Sequence, residues 1–418
     1  MSHGVLKVSA RLSIARWRAR FAPIRIAGLA LMTLAWAAAS LIPHQDVDLY
    51  AHYATVALHA PLFHLLPREY PGASIGLFIL PKVLPIPYVI SFSIFAEVAV
   101  FALLVSSDGL PGRPGWSRRV VIYLALATPA VLVARYDIAP ALAAFLAVER
   151  ARSDRFAKAW AWAVVGALLK LFPALLLPGF LIVERRKTGK WPLRRVAAAG
   201  VVFAATAVAQ IVRAPGSLLS PFRYELRRGF EVESVASVLS LAARPFHTYW
   251  VGGYGGVETV GGAHALIGAA VTAATVVAVL AVIALCWRGR LTLEATSLAV
   301  LTAAVLGEKA LSPQYLIWIV PLWSYYEIRR GWVVAAGLTT VVYPLLWFEA
   351  RDLGPSFLVP TAVAGLRDGV LVVASALWLR AELAASRRPS VTAVATVATG
   401  PPVPGAQRSR RLSSASST

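Results

Sequence analysis

Long apolar runs separated by short charged segments divide the chain from about Ile24 onward. The first run, Ile24 to Ile42, follows a basic stretch, residues 1–22, that carries Lys7, Arg11, Arg16, Arg18 and Arg20. A basic region before an apolar run ending Ala-Ala-Ala-Ser has the look of a secretory signal. The further runs downstream make it instead an uncleaved first helix with its N-terminus inside. Pro71–Leu84 is apolar but too short to cross, and Pro81, Pro85 and Pro87 break it, so an interfacial or re-entrant helix is predicted. Tyr88–Ser106 is long enough to cross and leads to Arg113, Arg118 and Arg119. Residues 120–150 and 156–184 each read as a path out and back, turning at Arg135-Tyr136-Asp137 and at Lys170-Leu171-Phe172-Pro173. Their arms are short against the roughly 20 residues of a full crossing, which would recess the outer face. A long tilted helix is the alternative, and periodicity does not choose between them.

Residues 195–212 lead to a loop, 213–262, rich in charge and glycine; 263–287 return, 292–307 go out and 313–328 return. A last pair, 332–348 and 361–379, gives about twelve crossings with both termini cytoplasmic. The clusters Arg185-Arg186-Lys187 with Lys190, Arg288 with Arg290, and Arg329 with Arg330 then share one side, as the positive-inside rule requires. The expected organisation is a basic N-terminus (1–22), an all-α transmembrane domain (23–382) with extracytoplasmic loops 43–87 and 213–262, and a disordered cytoplasmic tail (383–418).

Composition agrees with that pattern. Hydrophobic residues make up 58% of the 418, charged residues only 15%, and mean hydropathy is +0.67, which places the chain in a lipid bilayer of the cell membrane. The excess of 41 Lys+Arg over 20 Asp+Glu follows from orientation; no basic stripe with interleaved aromatics suggests nucleic acid. The single Cys286 excludes an internal disulfide and a thiolate metal cluster.

Charges embedded at the outer end of the runs are the candidate chemistry: Asp46, Asp48, Glu69, Lys82, Arg135, Asp137, Lys170, Arg227, Arg228, Glu231, Glu233, Arg244, Glu308 and Lys309. Ionisable groups at membrane depth mark substrate or ion paths, and acids flanked by cations suit an anionic, phosphate-bearing substrate. Structural pairing or snorkelling accounts for any one of them taken alone. Loop 43–72 is the most specific stretch. Leu49, Tyr53, Val56, Ala60 and Phe63 recur at spacings of four and three, predicting an amphipathic helix on the membrane with its acids at the N-terminal end. Helix capping by Asp46 or Asp48, or a metal site from His44, Asp46, Asp48 and His52, are the competing uses. His59 and His64 read as interfacial aromatics.

Asp46-x-x-Leu49-Tyr50, then Tyr53-Ala54, Glu69-Tyr70-Pro71 and an apolar run ending in Pro81 resemble the first loop of glycosyltransferase family 87. The similarity continues through Arg135-Tyr136-Asp137-x-x-Pro140, Lys170-x-x-Pro173 with Leu-Leu-Leu-Pro178, Arg228-Gly229-x-x-x-Glu233-Ser234 and Ser312-Pro313-Gln314-Tyr315, over roughly residues 24–380. The chain departs from the family at Gly72, where a second proline is usual. The resemblance implies a GT-C fold and an inverting transfer of a sugar, typically mannose, from a polyprenyl-phosphate donor to a glycolipid or polysaccharide acceptor outside the membrane. It implies no metal and no cofactor. It places the catalytic base at Asp46, with Asp48 as the fallback. Substrate contacts are expected at the motif residues Tyr50, Glu69, Tyr70, Arg135, Asp137, Lys170, Arg228, Glu233, Gln314 and Tyr315, and the departing phosphate is expected on one or more of Arg135, Lys170, Arg227, Arg228 and Lys309. A secondary transporter or flippase would share the spans and embedded charges, but no internal repeat supports it.

Overall fold

The computed structural model describes residues 23–41, 45–59, 69–108, 115–243, 248–253, 256–261, 263–349 and 358–387. It is mostly helical, as the runs predicted. Helix α1 spans Pro23–Ala39 and α2 Gln45–His59. A short kinked segment follows, with α3 at Ile75–Ile79 between two 3₁₀ turns. Then come α4 (Tyr88–Asp108), α5 (Trp116–Ala127), α6 (Pro129–Leu132), α7 (Ile138–Arg152), α8 (Phe156–Leu169), α9 (Leu177–Thr188) and α10 (Leu193–Arg213). The predicted loop 213–262 holds α11 (Ser220–Arg227), α12 (Val235–Ala243) and a small antiparallel sheet of β1 (Phe230–Glu231), β2 (Thr248–Gly253) and β3 (Gly256–Gly261). The strand order is β1-β3-β2, with Glu231 opposite Glu258 and Thr248 opposite Gly261. The chain ends in α13 (His264–Trp287), α14 (Leu293–Gly307), α15 (Pro313–Trp323), α16 (Arg330–Glu349) and α17 (Leu358–Ala385).

Four of these helices, α4, α10, α13 and α17, have the length and apolarity to cross a bilayer. In hydrocarbon every backbone amide must be satisfied within its own segment, so uninterrupted apolar runs of this length become helices. Helices α10 and α13 turn most of their apolar side chains outward, including Val201, Val208, Val277 and Leu280, as lipid-facing helices do.

The centre of the core is α7. Ala141, Ala143, Ala144, Ala147, Val148 and Ala151 are all buried, and α7 packs against α4, α8, α14 and α15. Small side chains let neighbouring helices approach closely, the usual solution where lipid offers no hydrophobic drive. The large rings Trp116, Trp323, Tyr325, Trp332 and Trp378 belong to the same core, and Trp116 and Tyr325 meet Phe145 of α7. The paths out and back at 120–150 and 156–184 are both breaks rather than long tilted helices: α8 stops at Leu169, and the chain returns through a 3₁₀ turn into α9. Gly166 permits the second turn, since a Cβ there would lie 3.0 Å from Pro173 and 3.2 Å from Ala143.

Helix α2 forms where predicted, and the face it turns to the protein lies apart from the stripe predicted for the membrane. Val47, Tyr50 and Ala54 face the protein, while Leu49, Tyr53 and Val56 are only half-buried. Tyr50 decides this by stacking on Phe78 at 4.5 Å and meeting Tyr136 edge-on at 5.6 Å. Ala60 and Phe63 lie outside the described residues. The loop 213–262 is also more structured than predicted, and its three strands are a local departure from an all-α chain.

Charges sort to two ends. At one end Arg152 pairs with Glu294 at 2.5 Å, Arg195 with Glu184, and Lys187 with Asp154. Arg119 also donates there to the Tyr326 carbonyl at 2.9 Å. The candidate residues collect at the other.

Candidate functional site

Asp46 lies in the first turn of α2, and its carboxylate pairs with Arg135 in the turn between α6 and α7. Two residues along a helix point about 200° apart, so Asp48 is aimed elsewhere; it is exposed. The structure therefore brings one of the two predicted acids into contact with the turn that carries the next motif. Within that turn Asp137 is buried, and it accepts from Lys170 Nζ and from Trp318 Nε1, both at 2.6 Å. Lys170 ends α8 and sits among the rings of Tyr136, Tyr315 and Trp318, with Nζ 4.9–5.4 Å from their centroids. A desolvated ammonium gains from such rings, and Asp137 balances its charge.

The segment after α11 adjoins these turns. Arg228 is buried and pairs with Glu231 and, at 3.5 Å, with Glu225, whereas Arg227 beside it is exposed. Glu231 also accepts from Ser312 Oγ at 2.9 Å, and Arg135 is within its electrostatic reach. Gly229 donates its amide to Glu258 at 3.1 Å, where a Cβ would lie 2.7 Å from that carboxylate. Glu69 accepts from Tyr53 at 2.5 Å and lies within electrostatic reach of Tyr224. The α2 start, the Glu69 segment, the Arg135 turn, the Lys170 turn, the α11–β1 turn and the α14–α15 turn thus meet at one end of the helices.

The remaining predicted contacts divide by environment. Tyr50 is a core residue, 1% exposed, while Tyr70 is partly exposed and meets Tyr136 at 5.3 Å. Tyr315 is buried beside Lys170, and Gln314 holds a buried Oε1 that no described group hydrogen-bonds. Lys309 is differently employed from a phosphate clamp: its ammonium donates to the Glu225 carbonyl at 2.7 Å and the Arg228 carbonyl at 3.0 Å, capping α11. A cation at a helix C-terminus satisfies carbonyls that the helix cannot. His52 and His59 are exposed, and the His59 ring bonds the Thr55 carbonyl at 2.9 Å. His44, His64 and Arg244 lie outside the described residues.

Sequence reasoning passed over Arg367 and Asp368, which sit inside the apolar run of α17. Arg367 is fully buried; it donates to the Leu311 carbonyl at 2.8 Å, to the Glu233 carbonyl at 2.5 Å and to Asp368 at 2.9 Å. It thereby ties the segment after β1 and the α14–α15 turn to α17. Two adjacent charges in a lipid-exposed run were the available signal. Glu97 of α4 was also passed over; it accepts from Trp36 Nε1 at 2.5 Å.

Burial raises carboxyls at the Asp46 end of the helices. It pushes Glu233 up to about 8 despite Arg367, and it pushes Glu231 up with Arg228 opposing. Glu308 is pushed up to about 7 by burial and then by Glu225, with Lys170 and Arg228 opposing.

The chain matches no family profile, no curated protein and no solved structure.

Proposed function

We propose that the protein is a membrane glycosyltransferase that moves a sugar, mannose in the first instance, from a polyprenyl-phosphate donor to a hydroxyl of a glycolipid or polysaccharide. The reading includes a GT-C arrangement of about twelve crossings with both termini cytoplasmic and the Asp46 end on the extracytoplasmic face. One observation supports it: Asp46 is held on Arg135 at the end of the helices where Lys170 and Arg228 also lie, each beside its own carboxylate.

In this mechanism Asp46 takes the proton of the acceptor hydroxyl as that oxygen attacks the anomeric carbon. Arg135 holds the carboxylate in position. Lys170 and Arg228 offset the negative charge that grows on the phosphate as the glycosidic bond breaks, which is the larger share of the work in such a displacement. Attack opposite the departing phosphate inverts the anomeric configuration. The partly exposed ring of Tyr70, packed on Tyr136, offers an apolar face to a sugar near the cations.

A second reading, a transporter or flippase for a lipid-linked sugar, is favoured by the buried charges Arg367 and Asp368 within a spanning helix. Transfer in vitro separates the two. Purified protein in detergent is given radiolabelled polyprenyl-phosphate mannose and a crude lipid acceptor extract. Labelled product supports the transferase; release of no sugar from any polyprenyl-phosphate donor overturns it and leaves the transporter.

A further inference from the structure

At the end of the helices away from Asp46, Lys187 pairs with Asp154 and Arg195 with Glu184. Arg185, Arg186, Lys190 and Arg288 lie beside these pairs, and no described carboxylate pairs with any of them. The last turn of α9, the turn into α10 and the end of α13 bring them together. The Arg185 guanidinium lies over Trp191 at 3.9 Å and over Trp287 at 5.0 Å, and the two indoles stack on each other at 5.9 Å. Both indoles are exposed.

We propose that this corner binds an anionic phospholipid of the adjoining leaflet, with the lipid phosphate on Arg185 and Arg186 and its acyl chains along α10 and α13, because two exposed indoles hold Arg185 beside the lipid-facing helices with its N–H groups unengaged. The proposal goes beyond the transferase reading and needs only that α10 and α13 span the bilayer.

Contact with the rings uses the faces of the guanidinium and leaves its in-plane N–H groups for a phosphate, which they can grip in a bidentate fork. Among the described residues none of those N–H groups reaches an acceptor. Arg186 is exposed and reaches over the turn after α13, where Gly289 has φ +72° and a Cβ would lie 2.6 Å from Arg186 Nη2. Indoles favour the boundary between headgroups and hydrocarbon. From Trp287 the exposed positions Leu280 and Val276 follow at spacings of seven and four, one stripe of α13 leading toward mid-membrane. Beside Trp191, Leu193 and Val196 begin the corresponding exposed face of α10. Orientation by the positive-inside rule asks only for charge on this side. It does not ask for a guanidinium set against two indoles, nor for a glycine where Arg186 crosses the next turn.

The test titrates purified full-length protein in neutral detergent with phosphatidylglycerol or phosphatidylcholine brominated in the acyl chains, read by quenching of tryptophan fluorescence. Each cation near a headgroup strengthens anionic binding about 5-fold, so wild type should prefer phosphatidylglycerol by at least about 10-fold, less at high salt. Arg185→Gln should lose most of that preference. Arg185→Lys should lose it too, because an ammonium offers phosphate no fork. Lys187→Gln, whose charge faces Asp154, should keep it. Trp191→Phe combined with Trp287→Phe should remove the extra quenching by phosphatidylglycerol, placing the lipid at these rings. Equal affinity of wild type for the two lipids overturns the proposal. Equal losses in Arg185→Gln and Lys187→Gln would assign the preference to the diffuse field of the surface and overturn the site. Displacement of the lipid by an equal concentration of inorganic phosphate would overturn the lipid as its ligand. Should Arg185→Gln fail to fold, unchanged extra quenching in the double indole variant overturns the placement.

Discussion

Arg367 donates to the Glu233 carbonyl at 2.5 Å although 134 residues separate them, and neither group is open to solvent. Its other nitrogens hold Leu311 and Asp368, so one guanidinium joins the segment after β1, the α14–α15 turn and α17. Removing it strands two carbonyls and leaves Glu233 and Asp368 without their cation. Breaking a buried network in this way costs about 3–5 kcal/mol. Arg367→Met should therefore lower the unfolding midpoint in detergent sharply, and Arg367→Lys should recover little because one ammonium cannot span three partners. A midpoint within error of wild type for Arg367→Met would show that the network carries no stability.

Lys170 and Asp137 should prove energetically coupled. Asp137 is almost fully buried, and loss of Lys170 leaves Trp318 as its only donor among the described residues. Lys170→Met should destabilise by about 3 kcal/mol, and combining it with Asp137→Asn should cost less than the sum. A coupling energy near zero in that cycle would mean the pair is incidental. On the transferase reading both variants also lose most of their turnover.

On the transferase reading, Asp46 and Asp48 should separate cleanly in activity. With Asp46 on Arg135 and Asp48 exposed on another side of α2, Asp46→Asn is expected to lose at least about 100-fold in kcat. Asp48→Asn should stay within about 3-fold of wild type, since only a proton-accepting group at the site carries that factor. The reverse result would move the base to Asp48.

Stability should fall as pH rises across the range that titrates Glu233 and Glu308. Glu233 is raised from 4.5 to about 8 and Glu308 from 4.5 to about 7. Between those limits the folded protein binds more protons than the unfolded chain, so unfolding free energy declines with pH. The contribution is complete below about 4.5 and lost above about 8. Unfolding midpoints measured from pH 5 to pH 9 should drift downward in wild type and less so in Glu233→Gln and Glu308→Gln. Equal slopes in all three proteins would refute the assignment.

The positions of most helices and of their turns were legible from residue order alone. An apolar run in lipid has to satisfy its own amides, so the limits of α4, α10, α13 and α14 follow from where charge and proline interrupt the pattern. The turns at Arg135–Asp137 and at Lys170–Pro173 were legible for the same reason, as was their sharing of one end with Asp46. What periodicity could not choose was the buried face of α2. Both of its stripes are apolar, and Phe78 and Tyr136, distant in sequence, select Val47, Tyr50 and Ala54. Nor could it distinguish a cation that caps a helix, as Lys309 does, from one set in an aromatic cage, as Lys170 is. Arg367 hid within a run that hydropathy alone assigned to lipid, and the small sheet hid within a loop of glycines and charges. Each of these was decided by partners brought together across long stretches of chain, and only tertiary structure specifies which carbonyl, ring or carboxylate stands within reach of a given charge.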